Sequence, residues 1–243
     1  MSNPAKAARE MSRAAGDIDW HAAAAALRER GFAVARGVLS ARACAEVRSW
    51  YARSDLFRSR IVMARHGFGQ GEYQYFAYPL PPLIDDLRHA LYAQLAPIAT
   101  VWAERLGTKA TYARDLDGFL AHCRAAGQVR PTPLLLRYGP EDYNRLHQDL
   151  YGGVQFPVQA AILLSAPGRD FEGGEFVLTE TAPRRQTRAE VVPLGQGDMV
   201  LFAVNHRPVK SPKGFSRVAM RHGVSTVRMG ERYTLGIILH DAA

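Results

Sequence analysis

Leu146-His147-Gln148-Asp149-Leu150-Tyr151-Gly152-Gly153 sets an imidazole and a carboxylate two residues apart. Successive side chains of a β-strand alternate faces, so in a strand His147 and Asp149 project together while Gln148 points away. Two such donors take adjacent positions on a metal. A third from a distant segment completes the 2-His-1-carboxylate face that holds Fe(II) and leaves positions open for oxygen. His222 is the candidate third ligand. The pair alone is a weak signal, because neighbouring His and Asp side chains often do no more than hydrogen-bond at a surface. The flanking sequence decides its meaning.

Past Pro131 the pattern turns from helical to alternating. Eight strands are expected: Pro133–Tyr138, Arg145–Tyr151, Gln155–Ser165, Glu175–Thr179, Ala189–Leu194, Asp198–Val204, Val218–Ser225 and Arg232–His240. Turn signals at Gly139-Pro140, Pro167-Gly168, Gly173-Gly174 and Gly195-Gln196-Gly197 separate them. Short strands in this number point to a double-stranded β-helix, a jelly roll of the cupin sort.

Upstream the reading is mainly helical. A helix over Ile18–Arg30 ends at Gly31, a strand follows over Phe32–Leu39, and Ser40 caps a helix to about Arg53. Pro81 and Pro82 open a helix from about Leu83 to Leu106, expected in two parts because Pro97 interrupts it, and another covers about Ala113–Ala126. In that last helix Leu116, Phe119, Leu120 and Cys123 recur at helical spacing, a packed face that makes His122 and Cys123 structural. Between Arg58 and Pro82, Gly67, Gly69 and Gly71 interleave with Phe68, Tyr73, Tyr75, Phe76 and Tyr78. That stretch is either a mobile flap covering a ligand or a hairpin packing its aromatics into the core. The expected fold is α+β: one domain over residues 17–243, with a helical N-terminal layer (17–130) supporting a jelly-roll core (131–243), and residues 1–16 as a disordered tail.

Placed on these strands, the polar residues fall into register. His147 and Asp149 lie on the second strand, His222 on the seventh, and Arg232 and Thr234 on one face of the eighth. An inward arginine is costly unless an anion pairs with it, and its fork suits a carboxylate. Tyr138, on a face with Leu134 and Leu136, offers a hydroxyl to the same region.

Taken together, the last hundred or so residues resemble the Fe(II)- and 2-oxoglutarate-dependent dioxygenases. The family pattern is His-x-Asp, a distal His, and beyond it an Arg or Lys that binds the far carboxylate of 2-oxoglutarate; here these are His147, Asp149, His222 and Arg232. The run from His222 through Arg232 to Thr234, and Glu172-Gly173-Gly174-Glu175-Phe176, resemble the prolyl-4-hydroxylase-like branch. Arg137-Tyr138-Gly139-Pro140 followed by Leu146-His147-Gln148-Asp149 resembles the AlkB-type nucleic-acid demethylases, whose tyrosine contacts the cosubstrate but whose arginine lies further beyond the distal His. Across nearly its whole length, including Gly69-Gln70-Gly71-Glu72-Tyr73 and Tyr78-Pro79-Leu80-Pro81, the chain is also similar to a bacterial family of uncharacterised oxygenases proposed to act oxidatively on damaged nucleic acid.

The resemblance implies Fe(II) on His147, Asp149 and His222, with 2-oxoglutarate held by Arg232, Thr234 and Tyr138, and O2 as co-reactant. The activity it implies is oxidative hydroxylation or demethylation. Alkylated nucleic-acid bases are the first expected substrate, met by Tyr73, Tyr75, Tyr151, Asn205 and Arg207. The alternative is a hydroxylase of an amino acid, a peptide or a small metabolite. A non-catalytic cupin-like binding module is also conceivable, and the intact ligand set argues against it.

Composition narrows the setting. With 243 residues, 47% of them hydrophobic, the chain has material for a sizeable core. Its apolar runs, Ala160–Ala166 and Leu235–Leu239, fall far short of the ~20 residues that cross a bilayer, so no membrane segment is expected. No apolar block follows the Ala- and Arg-rich start, and a cytoplasmic location follows. Cys44 and Cys123 stand in no zinc or disulfide spacing. The net charge of +8, mostly arginine, marks either phosphate-rich partners or a codon bias toward Ala and Arg. Asn205-His206-Arg207, with Lys210, Lys213, Arg217 and Arg221, is expected as a basic loop that either grips phosphate or is merely solvated. His240 shares the alternation of Arg232, which puts it either near the cosubstrate or in the core.

Overall fold

A computed structural model of the protein describes residues 18–243; the expected tail lies outside them. Helix α1 (Trp20–Arg30) starts where Asp19 accepts from the Ala22 N–H at 2.9 Å and stops at Gly31, whose φ of 79° only glycine adopts freely. Strand β1 (Phe32–Ala35) leads to α2 (Ala41–Ser49), capped by the Ser40 hydroxyl, and then come β2 (Phe57–Val62), β3 (Gly69–Gln70) and β4 (Glu72–Phe76). Helix α3 (Pro82–Leu106) runs unbroken through Pro97, where two parts were expected. Leu91, Tyr92, Leu95, Ala96, Ala99 and Trp102 are all buried along it, and that packing outweighs the roughly 3 kcal/mol an interior proline costs. Helix α4 (Leu116–Ala125) follows, capped by Asp115.

The second half is almost all strand: β5 (Leu134–Tyr138), β6 (Tyr143–His147), β7 (Val158–Leu163), β8 (Phe171–Gly173), β9 (Phe176–Thr181), β10 (Arg188–Val192), β11 (Met199–Ala203), β12 (His206–Ser211), β13 (Gly214–Val224), β14 (Val227–Gly230) and β15 (Arg232–Ile237). The larger sheet has the order β1-β11-β7-β15-β5-β4-β2, and the second has β10-β9-β13-β6-β3 with β12 beside β13; β8 and β14 form a two-stranded ribbon. The pairings between these strands are antiparallel. The result is a mixed helix-and-strand fold with antiparallel sheets.

Besides the unbroken α3, the structure refines the sequence reading in several places. The mainly helical N-terminal part also contributes strands: β1, β2 and β4 complete one sheet and β3 the other. Exposed sheet edges seek partners, and these segments supply them. The Arg58–Pro82 stretch takes the hairpin alternative, because β4 lies between β2 and β5 with Tyr75 and Phe76 buried. The expected basic loop is strand β12, which turns through Pro212-Lys213 into a lengthened β13. Pro208 hid it, yet β12 pairs only with β13, and an edge position tolerates a missing N–H. The second expected strand ends at His147, so Asp149 stands in a non-repetitive segment.

The larger sheet is buried on both faces, and this positions the site. Ile162, Leu201, Leu235 and Ile237 pack with Leu27, Leu91, Trp102 and Phe119 of the helices. From the opposite face of the same strands, Ala161, Val200 and Phe202 meet Phe176 and Leu178 of the second sheet. Alternation therefore turns Gln159, Arg232 and Thr234 toward the space between the sheets.

Candidate active site

Strands β6 and β13 set His147 directly opposite His222, their ring centroids 4.2 Å apart. The segment after β6 folds back so that Asp149 reaches both: Oδ1 is 3.5 Å from His147 Nε2 and Oδ2 is 3.3 Å from His222 Nε2. One donor atom from each of the three lies within 4.8 Å of the others. Neighbouring donors on a small divalent cation with bonds of about 2.1 Å stand roughly 3 Å apart, so the set fits such an ion after a small contraction.

The surroundings orient these donors. His147 Nδ1–H donates to the Arg145 carbonyl at 2.7 Å, which frees the Nε2 lone pair for the centre. Tyr151 donates its hydroxyl to Asp149 Oδ1 at 2.6 Å, and Gln159 Nε2 donates to Oδ2 at 2.8 Å. Burial pushes the Asp149 carboxyl up, but hydrogen bonds and charge from His147 and His222 prevail and hold it well below the usual carboxylate range. The site thus keeps an anionic oxygen between two imidazoles. Burial lowers His222, and the nearby His147 adds to the effect.

Across the same cavity sits Arg232, 2% exposed. It donates to Thr234 Oγ1 at 2.6 Å, its Nε has no partner, and among the described residues it forms no ion pair. Burial pulls its pKa down to about 10. A buried guanidinium left this short of acceptors has the chemistry to pair with an anion such as a carboxylate. Tyr138, fully buried, accepts from Asn144 Nδ2 at 3.4 Å, and burial pushes its pKa up to about 12, so it stays a neutral hydroxyl.

His147, Asp149, His222, Arg232, Thr234, Tyr138, Tyr73 and Tyr151 all line one cavity of about 370 Å³. Tyr75 is buried behind it, edge-on to Tyr73 and Tyr151 at 5.3 and 6.2 Å. Asn205 and Arg207 do not reach it. Asn205 accepts from Gln148 Nε2 at 2.9 Å, whereas Arg207, 3% exposed, pairs with Glu180 and donates to the Arg28 carbonyl at 3.0 Å. Arg207 is a buried tie between β12, β9 and α1, and its expected substrate role is corrected accordingly. His240 is a core residue whose Nδ1 accepts from the Phe156 N–H at 3.2 Å, and burial takes its pKa down to about 4.

Sequence reasoning passed over Gln159, although it is the one polar residue in a strand that otherwise reads Val-x-Ala-Ala-Ile-Leu. That break in an apolar run was the available signal.

Residues 71–242 match the Oxygenase-NA family, described as an oxygenase catalysing oxidative methylation of damaged DNA. The chain belongs to this family. It is therefore an oxygenase, an oxidoreductase, as the resemblance implied. Two uncharacterised proteins of Mycobacterium tuberculosis, from strains CDC 1551 and H37Rv, are each 49% identical to it over 168 residues, covering 69% of this chain and 72% of theirs. Among solved structures it is similar in fold to a Pseudomonas putida prolyl-4-hydroxylase (16% identity, TM-score 0.51, covering 89% of this chain and 96% of that one). A 2OG-Fe(II) oxygenase family oxidoreductase from Burkholderia pseudomallei (20%, TM-score 0.52, covering 93% and 94%) is another such structure. Prolyl 4-hydroxylase from Phytophthora capsici reaches a TM-score of 0.55 at 19% identity, covering 96% of this chain and 65% of that one.

One glycine of this oxygenase bears directly on Arg232. Gly174 has φ of 59°, and a Cβ there would meet Arg232 Cδ and Val227 Cγ2, both at 2.8 Å. Gly174→Ala is expected to cost about 1–3 kcal/mol of stability through the left-handed backbone and the clash, and to displace the Arg232 stem. Chemical denaturation checks the first effect; a crystal structure of the variant checks the second.

Proposed function

We propose that the chain is a non-haem Fe(II)- and 2-oxoglutarate-dependent dioxygenase that oxidises alkylated bases of nucleic acid. The observation that carries this reading is the buried, unpaired Arg232 guanidinium facing the same cavity as the His147, Asp149 and His222 donors. A metal face alone fits many ions, and a buried guanidinium alone fits any anion. Together they suit a diacid that spans from the metal to the arginine. The reading also takes the two sheets as the halves of a double-stranded β-helix carried by an N-terminal helical layer, with residues from 17 onward as one domain. A cytoplasmic location belongs to it as well, since ferrous iron needs reducing conditions and Cys44 and Cys123 are unpaired and buried. Among the described residues no helix is long and apolar enough to cross a membrane.

Fe(II) with 2-oxoglutarate and O2 would supply the oxidant that inserts one oxygen atom into a substrate C–H bond, releasing succinate and carbon dioxide. The protein supplies everything else. His147, Asp149 and His222 would hold the metal, with Asp149, which Tyr151 and Gln159 steady, neutralising part of its charge. Arg232 and Thr234 would hold the far carboxylate of the cosubstrate, and the Tyr138 hydroxyl would donate toward it. Leu134, Leu136, Phe176 and Phe202 give the cavity apolar walls that exclude water. Oxygen inserted into an N-methyl C–H gives a carbinolamine that loses formaldehyde, so this reading favours removal of a methyl group from a damaged base over its addition.

A second reading, hydroxylation of an amino acid, peptide or small metabolite, draws on the likeness in fold to prolyl-4-hydroxylase. One experiment separates the two. Iron-loaded protein is incubated with 2-oxoglutarate and either methylated oligonucleotides or peptide pools, and succinate is measured alongside product mass. Substrate-dependent succinate with loss of a methyl group from the oligonucleotide supports the first reading; a gain of one oxygen on a peptide supports the second. Arg232→Leu is expected to raise the 2-oxoglutarate requirement about 30-fold or more, the equivalent of roughly 2 kcal/mol for a lost buried charge pair. An unchanged requirement overturns the cosubstrate assignment.

A further inference from the structure

We propose that the outer face of the β12–β13 hairpin is a phosphate track that delivers a single strand of nucleic acid to the cavity mouth. This rests on the nucleic-acid reading above and adds the surface that would engage the polymer.

Charge is segregated along the chain. From Met199 to Gly230 there is no Asp or Glu, while Arg207, Lys210, Lys213, Arg217, Arg221 and Arg228 all fall there. Two of the six are answered: Arg207 by Glu180, and Arg228 by Glu175 at 3.9 Å. The other four are exposed and form no ion pair among the described residues. Strand register then sorts them onto one side. Val218, Met220 and His222 are buried, so Arg217 and Arg221 project outward, and Lys210, paired with Phe215, projects with them. Arg105, from the end of α3, adds a further cation by lying 4.6 Å over the Phe215 ring. Arg217 is steadied by a bond to the Leu106 carbonyl at 3.4 Å. Cations gathered without counter-charges repel one another, and a polyanion relieves that repulsion while releasing its own condensed counterions.

The track leads to the edge of the active-site strands. Arg221 and His222 are neighbours on opposite faces of β13, and on the adjacent strand β6 Arg145, two residues before His147, turns to the cavity side. Arg145 and Phe68 both line the cavity. Phe68 is 49% exposed and stacked on His66 at 5.3 Å and 22°, which leaves its outer side as a platform for a base. From Arg217 to Arg221 is roughly 13 Å at about 3.3 Å per strand residue, enough to follow a few phosphates. A cavity of about 370 Å³ admits a base only after it has left its stack, which favours a single strand.

The test is binding of labelled oligothymidylate, followed by anisotropy across a salt series. In the variant Lys210→Gln/Arg217→Gln/Arg221→Gln the slope of log affinity against log salt is expected to fall by about 2, from ~0.7 per phosphate contact on single strands. Arg184→Gln/Arg185→Gln/Arg188→Gln removes the same charge from the exposed turn into β10 and its first residue and is expected to keep the wild-type slope. Phe68→Ala is expected to weaken binding about tenfold at every salt concentration with the slope intact. Melting curves for each variant verify that it is folded. A wild-type slope in the track variant, or an equal fall in the control variant, overturns the track alone. Absence of any oligonucleotide binding by the wild type overturns both the track and the nucleic-acid reading.

Discussion

His222→Ala and Asp149→Ala are each expected to abolish substrate-dependent succinate release, leaving only the level of the buffer control. The three donors converge, and among the described residues neither imidazole has a second carboxylate close by to replace Asp149. Removing His222 opens a gap between Phe202, whose ring lies 4.6 Å from it, and the Gln159 amide at 3.3 Å, so no second imidazole or carboxylate takes its place. In the wild type a chelator should end turnover and added Fe(II) should restore it; in the variants Fe(II) should restore nothing. Because turnover alone confuses chemistry with folding, Mn(II) binding is measured in parallel with thermal unfolding. Lost Mn(II) binding in a protein that still melts cooperatively assigns the defect to the metal face. Tyr151→Phe is the graded companion: it keeps all three ligands and removes the 2.6 Å bond to Asp149 along with the hydroxyl's contact to Tyr75, and metal affinity should fall about 10–100-fold. Turnover near the wild-type rate in either alanine variant would show that these donors hold no catalytic metal.

The sequence carried the chemistry more plainly than the geometry. His147, Asp149, His222, Arg232, Thr234 and Tyr138 were marked by spacing and by resemblance, and they surround one cavity. Yet the reason given for the convergence of His147 and Asp149, a shared strand face, was wrong in detail, since β6 ends at His147. Asp149 is brought in by a loop and anchored by Gln159 and Tyr151, a hydrogen-bond pattern that residue spacing does not encode. The fate of Arg207 was equally hidden. Its partner Glu180 sits on another strand, and only the β9–β13–β12 order brings the two together. Strand limits were blurred for a related reason. The larger sheet is covered on both faces, so β7 and β11 read as continuous apolar runs without the alternation that fixes ends. Pro97 misled in the opposite direction, because a local helix breaker was overridden by packing along the whole of α3.

Asp241→Ala is expected to be among the most destabilising single substitutions in the protein, by about 3–5 kcal/mol, because it strands a buried cation. Arg88 on α3 pairs with Asp241 at 2.7 Å, the two side chains being 1% and 2% exposed. The same guanidinium donates to the Ile238 and Leu239 carbonyls at 3.1 and 3.2 Å and to the Tyr78 hydroxyl at 2.9 Å, and Tyr78 in turn donates to Asp241 at 3.0 Å. The network thus clamps the longest helix to the segment that leaves β15, which carries Arg232 and Thr234 at its other end. Without the carboxylate, the guanidinium keeps neutral acceptors only. A melting point lower by roughly 10 °C follows from about 2–4 °C per kcal/mol for a chain of this size. Replacing both partners, Arg88→Met with Asp241→Leu, removes charge and counter-charge together and should recover most of the loss. Turnover per folded molecule should stay near wild type in both proteins, since the pair lies on the helical side of the sheet and the chemistry between the sheets. If turnover instead falls further than the folded fraction does, the C-terminal clamp also sets the position of Arg232, and the scaffold and the cosubstrate site are mechanically one unit.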